Sequence, residues 1–154
     1  MTLAFSCNKN DDGSSTPEPS TNDNFIRAKV DGVAYEATGS NITREQNEPA
    51  FNMSTTYFGG GTGLDFSIRG EATIGTYNFS NSVVTTVGRL NYRDGATTDV
   101  YSTAYCPTSS GVFTITSKTG KTIEGTFSFT GRVLSACSGT TVEVTEGTFK
   151  ITFP

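Results

Sequence analysis

Apolar and polar residues alternate along most of the chain after residue 24. In the first such run, Ile26, Ala28 and Val30 alternate with Arg27 and Lys29. A period of two is typical of a β-strand with one buried face, because successive side chains of a strand point to opposite faces. The pattern therefore predicts about ten or eleven short strands. The apolar positions of the later predicted strands are Val33, Tyr35 and Ala37; Phe51, Met53, Thr55 and Tyr57; Leu64, Phe66 and Ile68; Tyr77 and Phe79; Leu90 and Tyr92; Phe113 and Ile115; Ile123, Phe127 and Phe129; Val142 and Val144; and Phe149, Ile151 and Phe153.

Turn residues separate these runs at short intervals. Asp31-Gly32 lies between the first two alternating runs, and this pair is a strong signal for a tight β-hairpin. A second such pair, Asp94-Gly95, precedes a predicted strand at residues 98–104. Residues 118–121 predict a further turn, which joins neighbouring strands in a hairpin. Connections this short favour antiparallel pairing.

The composition favours the same fold class. Thr occurs 27 times and Leu 4 times, so residues that favour strands outnumber good helix formers. Residues 25–154 are long enough for a single domain, and the 10 Phe in this range, of 11 in the chain, supply most of its core. We expect an all-β, antiparallel β-sandwich. A closed, lipocalin-like β-barrel is the alternative.

The first residues resemble a sorting signal. Leu3-Ala4-Phe5-Ser6-Cys7 is a short apolar run that ends in a small residue and a cysteine, and it resembles a bacterial lipobox. The resemblance implies that residues 1–6 are the remnant of a lipoprotein signal peptide and that Cys7 carries lipid. The alternative is a chance cysteine in a frayed terminus.

The segment after Cys7 is polar and acidic. Residues 1–24 carry four acids and one base, and residues 8–24 contain no large apolar side chain. Such a segment cannot bury enough surface to offset its ordering entropy, so residues 7–24 are predicted to be a lipidated cysteine followed by a disordered tether. The acidic patch also resembles the surface-export signal of Bacteroidetes-type lipoproteins. This resemblance implies a lipid anchor in the outer membrane and exposure at the cell surface; the periplasmic face is the alternative.

Three further motifs extend the resemblance to residues 25–154. They are FIRAKVDGVAY at residues 25–35, GTFSFT at 125–130 and TEGTFKITF at 145–153. Together they resemble the small Bacteroidetes-type lipoproteins of unknown function, whose pattern is a tethered β domain that begins with an Asp-Gly hairpin. The resemblance implies a location and a fold class, and it brings no catalytic residues.

Two cysteines remain in the domain. If residues 111–117 and 122–130 form a hairpin, Cys106 precedes its first strand and Cys137 follows its second, so both thiols lie at its open end. In an exported protein this position favours a disulfide. Two independent thiols in long loops are the alternative, because spacing alone does not fix the pairing.

The candidate chemistry is sparse. The chain contains no His, which excludes Ser-His-Asp and Cys-His sites and any imidazole ligand to a metal. We predict no catalytic residues, no metal and no cofactor. Glycan hydrolysis needs only two carboxylates about 5–10 Å apart. The acids predicted on strands all fall at outward positions, where charged residues are ordinary because that face of the sheet is exposed to solvent. They are Glu36, Asp65, Asp99, Glu124 and Glu143.

Aromatic and threonine side chains at the predicted surface are the remaining candidates for binding. Four aromatic residues near predicted loops and strand ends are a possible ligand rim: Tyr57, Phe58, Tyr101 and Tyr105. The alternative for the aromatic residues is that they form the rim of the core, which is the more common role of Tyr near strand ends. Threonines such as Thr114, Thr126 and Thr148 are predicted to line up across neighbouring strands, as on ice-binding surfaces, although threonine is also an ordinary solvent-facing strand residue.

The leading hypothesis for function is therefore a lipid-anchored binding or interaction module of the cell envelope. Its partner would be an envelope protein or a glycan. Residues 25–154 carry 11 acids and 10 bases, so no nucleic-acid surface is expected. The alternatives are a lipocalin-like carrier of a small apolar ligand and a carboxylate-dependent, glycan-active enzyme.

Overall fold

The computed structural model describes residues 23–47, 50–55, 61–133 and 137–154. In these ranges it confirms the all-β fold, since the other regular structure consists of short 3₁₀ segments such as Gly39–Asn41 and Asn81–Val83. No helix in the described ranges is long and apolar enough to cross a membrane. The strands are β1 (Phe25–Val30), β2 (Val33–Thr38), β3 (Ile42–Asn47), β4 (Ala50–Thr55), β5 (Gly63–Arg69), β6 (Gly75–Ser80), β7 (Gly88–Arg93), β8 (Val100–Ser102), β9 (Ser110–Thr119), β10 (Thr122–Val133) and β11 (Thr141–Thr152).

All eleven strands belong to one antiparallel sheet that bends at β10. Most of β10 pairs with β9, but its last residues, Arg132 and Val133, pair with β8 instead. The sheet therefore has two halves. The six-stranded half has the order β6-β9-β10-β11-β1-β2, and the five-stranded half has the order β8-β7-β5-β4-β3.

The two halves pack face to face through aromatic rings. Phe51 of β4 lies 6.3 Å from Phe113 of β9, and Phe66 of β5 lies 4.8 Å from Phe127 of β10, both between ring centroids. At the open edge, the hydroxyl of Tyr35 on β2 hydrogen bonds to Thr55 of β4. The sheet is thus nearly closed, and the fold combines the predicted sandwich with features of the barrel alternative.

Glycines in β10 and β11 make room for the large aromatic rings on the inner face of these strands. Gly125 of β10 is paired directly with Phe149 of β11, and Gly147 of β11 is paired with Phe127 of β10. A Cβ atom on Gly125 would lie 2.8 Å from the Phe149 ring and would also collide with the Thr114 carbonyl oxygen. The bare glycine backbone lets Phe149 lie flat and stack on Phe113, with ring centroids 4.5 Å apart.

A β-bulge interrupts β11 beside these pairs. Thr148 is opposite Arg27, but Thr145 is opposite Lys29, so β11 has one residue more than β1 over this stretch. Glu146 adopts a left-handed backbone conformation with φ 51°, and its carboxylate accepts a hydrogen bond from Lys29 Nζ at 2.8 Å. The sequence pattern did not predict this bulge, which increases strand twist at the centre of the six-stranded half.

The two Asp-Gly pairs behave differently. Asp31 and Gly32 have φ of 48° and 81°, as a two-residue hairpin turn requires, which confirms the first prediction. The strand predicted at residues 98–104 is wrong in extent, because only Val100–Ser102 is a strand. The carboxylate of Asp94 accepts hydrogen bonds from the Ala96 N–H and the Thr97 hydroxyl, and this local turn extends the connection to residues 94–99.

The predicted disulfide between Cys106 and Cys137 is confirmed. The two Cα atoms are 5.4 Å apart, and the bond joins the segment after β8 to the connection between β10 and β11. It therefore fastens the loops at the bend where the two halves of the sheet meet.

Replacing Gly125 with alanine should destabilise the protein by about 3 kcal/mol or more, because the new Cβ overpacks against backbone as well as a ring. Urea unfolding measures the loss. Thr126→Ala, at the adjacent exposed position, is the control and should cost less than about 1 kcal/mol. A Gly125→Ala variant as stable as the control would contradict the ring-over-glycine packing.

Removing the disulfide should also cost stability. Cross-linking residues 31 positions apart stabilises a fold by about 3.5–4 kcal/mol in the chain-entropy model. The free energy of unfolding of the Cys106→Ala/Cys137→Ala double variant, measured by urea unfolding, should be lower than that of the parent by most of this amount. Reductant should weaken the oxidised parent and leave the double variant unchanged; equal sensitivity of the two proteins would contradict the assignment.

Candidate functional site

A row of polar side chains crosses the outer face of the five-stranded half. Strand register places its members directly opposite one another on β3, β4, β5, β7 and β8, and the row continues onto the end of β10. We call it the polar row, and it consists of Thr43, Ser54, Asp65, Asn91, Ser102 and Arg132.

The middle of the polar row is buried, which is unusual for the outer face of a sheet. Asn91 is only 6% exposed, and its Nδ2 donates a hydrogen bond to Asp65 Oδ2 at 2.8 Å. Three buried side-chain atoms of the row have no hydrogen-bond partner among the described residues: Asn91 Oδ1, Ser54 Oγ and Arg132 Nε. Because buried polar groups in native proteins are almost always hydrogen-bonded, this clustering points to a bound molecule or water.

Asp65 is the ionisable group at the centre of the polar row. Burial raises the pKa of its carboxyl group, and the hydrogen bond from Asn91 and the charge of Arg89 only partly offset this effect. The sequence correctly placed Asp65 on the outer face. The sequence pattern did not predict the burial of the Asp65 side chain, because this burial depends on neighbouring residues from other strands. A carboxyl group held where burial opposes its charge is a candidate functional group.

A hollow of about 160 Å³ opens beside Asp65. Five polar side chains from β3, β4 and β5 line it: Thr43, Glu45, Asn52, Ser54 and Asp65. Hydroxyl and amide groups both donate and accept hydrogen bonds, and carboxylates accept them. The hollow can therefore bind a ligand whose own groups do both. Among the described residues, no group of three or more His, Cys, Asp or Glu side chains is placed to hold a metal ion.

The outer face of the six-stranded half carries the predicted threonine array. Thr76, Thr114, Thr126 and Thr148 form one cross-strand row, and the hydroxyls of the first two are 3.2 Å apart. Hollows of about 470 and 530 Å³ lie on this face and share Val112 and Ser128. The hydroxyls of Thr114, Thr126 and Thr148 face outward toward solvent, which can satisfy them, so this face is a weaker candidate than the polar row.

The predicted ligand rim is only partly described. Tyr57 and Phe58, like the predicted lipidation site Cys7, lie outside the described residues. Tyr101 is half-buried at the edge of the core, with its ring 6.2 Å from that of Tyr92. Tyr105 is also half-buried, and its carbonyl oxygen is 3.8 Å from the sulfur of Cys137. The rim therefore stays a prediction.

The other candidate carboxylates have ordinary surface roles. Glu36 pairs with Arg27 at 2.9 Å, and Glu124 pairs with Lys150 at 3.6 Å. Asp99 is exposed in the β7–β8 connection, one residue before the strand on which it was expected. Glu143 is exposed on β11. Asp65 differs from these four acids in its burial.

Comparison with known proteins gives a family but no activity. A family model described as "Domain of unknown function (DUF6252)" matches residues 22–151. No curated protein and no solved structure matches the chain.

Replacing Asp65 with asparagine should stabilise the protein at neutral pH. Because burial raises the pKa of Asp65 above its ordinary value, the folded state binds this proton more tightly than the unfolded state does, and the ionised carboxylate opposes folding. The increase in the free energy of unfolding should fall toward zero near pH 3, where the carboxyl group of Asp65 is largely protonated in both the folded and the unfolded state. Urea unfolding at the two pH values measures it.

Asp99→Asn makes the same chemical change at an exposed position and should leave the free energy of unfolding nearly unchanged at both pH values. An Asp65→Asn variant that is less stable than the parent by the same amount at both pH values would contradict the burial of this carboxylate.

Proposed function

We propose that this chain, which belongs to the DUF6252 family of unknown function, is a lipid-anchored binding module of the bacterial cell envelope, displayed on the outer membrane. The observation that carries the binding role is the polar row, where Ser54 Oγ, in the wall of the Asp65 hollow, and Asn91 Oδ1 are buried with no hydrogen-bond partner among the described residues. Binding a ligand there would satisfy groups that the fold leaves unpaired.

The disulfide supports an exported protein. Disulfides form and persist in oxidising compartments such as the periplasm and the cell surface, and they are rare in the cytosol. Cys106 and Cys137 are paired with each other, so Cys7 is the remaining cysteine of the three. Its place after a lipobox-like run is the basis for proposing that it carries the lipid.

The acidic segment supports display at a distance from the membrane. Seventeen residues separate Cys7 from the first strand at Phe25. Asn24 is 1% exposed and its Oδ1 accepts a hydrogen bond from the Thr152 N–H, so it belongs to the folded domain. If the residues before it form a flexible coil, they span roughly 20–25 Å. On this proposal the segment holds the domain away from the membrane surface, so that its outer faces can contact a ligand.

Binding at the surface fits the geometry better than the two alternatives. An apolar carrier needs an internal cavity, whereas the rings of Phe51, Phe66, Phe113 and Phe127 contact one another between the two halves. Glycan hydrolysis needs an enclosed pair of carboxylates. The Asp65 hollow, at about 160 Å³, is smaller than the roughly 300–1,000 Å³ of pockets that enclose a ligand.

Acylation of Cys7 tests the anchor. When the full-length gene is expressed in a Bacteroidetes host, mass spectrometry of the membrane fraction should find a mature N-terminus at Cys7 that carries acyl chains on its sulfur and α-amino group. Cys7→Ser should abolish the modification. The Cys106→Ser/Cys137→Ser variant should keep it, because only the leading thiol is modified.

An unmodified mature N-terminus would contradict the proposed anchor. Protease treatment of intact cells decides the membrane face: digestion of the domain supports surface display, and protection until the outer membrane is opened would instead place it on the periplasmic side.

A further inference from the structure

We propose that the hollow beside Asp65 binds one neutral sugar unit of a glycan, with Asp65, Asn52 and Ser54 hydrogen bonding to its hydroxyl groups. This inference rests on the proposed binding function and names its ligand class. Nothing in the family description assigns a ligand to these residues.

The lining of the hollow matches the chemistry of a sugar. Each sugar hydroxyl donates one hydrogen bond and accepts others, so its site must offer both kinds of group. Thr43 and Ser54 provide hydroxyls, Asn52 provides an amide, and Asp65 with Glu45 provides carboxylate acceptors. All five project from adjacent strands of a sheet, which holds them in fixed register.

Asp65 has acceptor capacity that the fold does not use fully. A carboxylate can accept about four hydrogen bonds, and Asn91, directly opposite on β7, donates one of them at 2.8 Å. Since Asn91 is 94% buried, its amide fixes the orientation of the carboxylate. Asp65 is therefore preorganised to accept hydrogen bonds from two neighbouring hydroxyls of one ring.

Ser54 supplies a second unused group. Its Oγ is buried, lies in the wall of the hollow and has no hydrogen-bond partner among the described residues. A hydroxyl without a partner opposes folding, and a ligand hydroxyl next to Asp65 would satisfy it. The unpaired Oδ1 of Asn91 lies one strand further along the polar row.

The size of the hollow limits the ligand to one ring. At about 160 Å³ it is well below the roughly 300 Å³ at which typical small-molecule pockets begin. It also opens onto the outer face of the sheet, so a longer chain can leave the site through solvent. A terminal or branching sugar of a surface glycan satisfies both constraints.

Charge argues against the other small polar ligands. Among the described residues, the side chains that line the hollow include two carboxylates and no Lys or Arg, which disfavours phosphate, sulfate and acidic sugars. Calcium takes six to eight oxygen ligands, commonly with several carboxylates, and the described residues contain no group of three or more acids placed for a metal. A neutral polyol fits the mixture of donors and acceptors.

The test is an NMR titration of the full chain with neutral monosaccharides. The probes are the methyl glycosides of glucose, galactose, mannose and fucose, together with N-acetylglucosamine, and amide shifts are followed in ¹⁵N-labelled protein. At least one sugar should shift amides of β3, β4 and β5 around Thr43, Ser54 and Asp65. Asp65→Asn should weaken binding by roughly tenfold or more, because it removes charge-assisted hydrogen bonds.

Two further variants keep the result interpretable. Asp99→Asn, the same change at an exposed position, should bind like the parent. Ser54→Ala removes a hydroxyl that has no partner in the fold, so it should fold normally and weaken binding severalfold. Since Asp65→Asn removes a buried charge, it should also fold.

The sugar assignment is overturned if no probe shifts these amides, if Asp65→Asn and Ser54→Ala both bind like the parent, or if calcium chloride shifts them and the sugars do not. These results are separate from the anchor. An acylated protein that binds no sugar overturns the ligand class alone, and a sugar-binding protein without acylation overturns the proposed anchor alone.

Discussion

The close approach of aromatic rings to bare glycine backbone is the constraint on which this fold depends. Phe149 lies over Gly125, and Phe127 lies over Gly147, each in a directly paired cross-strand position. A sheet carrying large side chains at all inward positions of three neighbouring strands would not let the rings lie flat. Because each of these two successive inward pairs contains one glycine, Phe113 stacks on Phe149 with ring centroids 4.5 Å apart.

That core positions the candidate site on the opposite side of the sheet. Leu64 and Phe66 are fully buried, and they fix the pleat of β5 so that Asp65 between them must point outward. Leu90 does the same for Asn91 on β7. The hydrophobic core beneath the polar row therefore fixes the register and orientation of Asp65 and Asn91, which is what a preorganised binding site needs.

Much of this architecture could be predicted from the sequence. Alternation identified the buried faces of β5, β9, β10 and β11, because each has two or more large apolar residues at a period of two. The disulfide followed from the β9–β10 hairpin, since both cysteines lie just outside it. β3 was missed because Ile42 is its one buried apolar residue, as is common for an edge strand.

The features that were missed depend on more than one strand. The bulge at Glu146 changes the register of β11 against both β1 and β10. The apolar positions change from even numbers (Val142, Val144) to odd numbers (Phe149, Ile151) across it, but only the strand pairing shows that both runs belong to one strand. Asp65 was correctly placed on an outward face, but its burial and its bond to Asn91 arise from residues 26 positions apart that pairing brings together. The candidate site could therefore not be assembled before the strand order was known.

Proton NMR tests the ring-over-glycine packing most directly. A proton on Gly125 Cα occupies the position from which a Cβ would lie 2.8 Å from the Phe149 ring. The structure predicts that Gly125 and Gly147 each have an Hα strongly shifted by a ring current, with nuclear Overhauser contacts to Phe149 and Phe127 respectively. Ordinary glycine shifts at both positions, without those contacts, would contradict the packing on which the polar row depends.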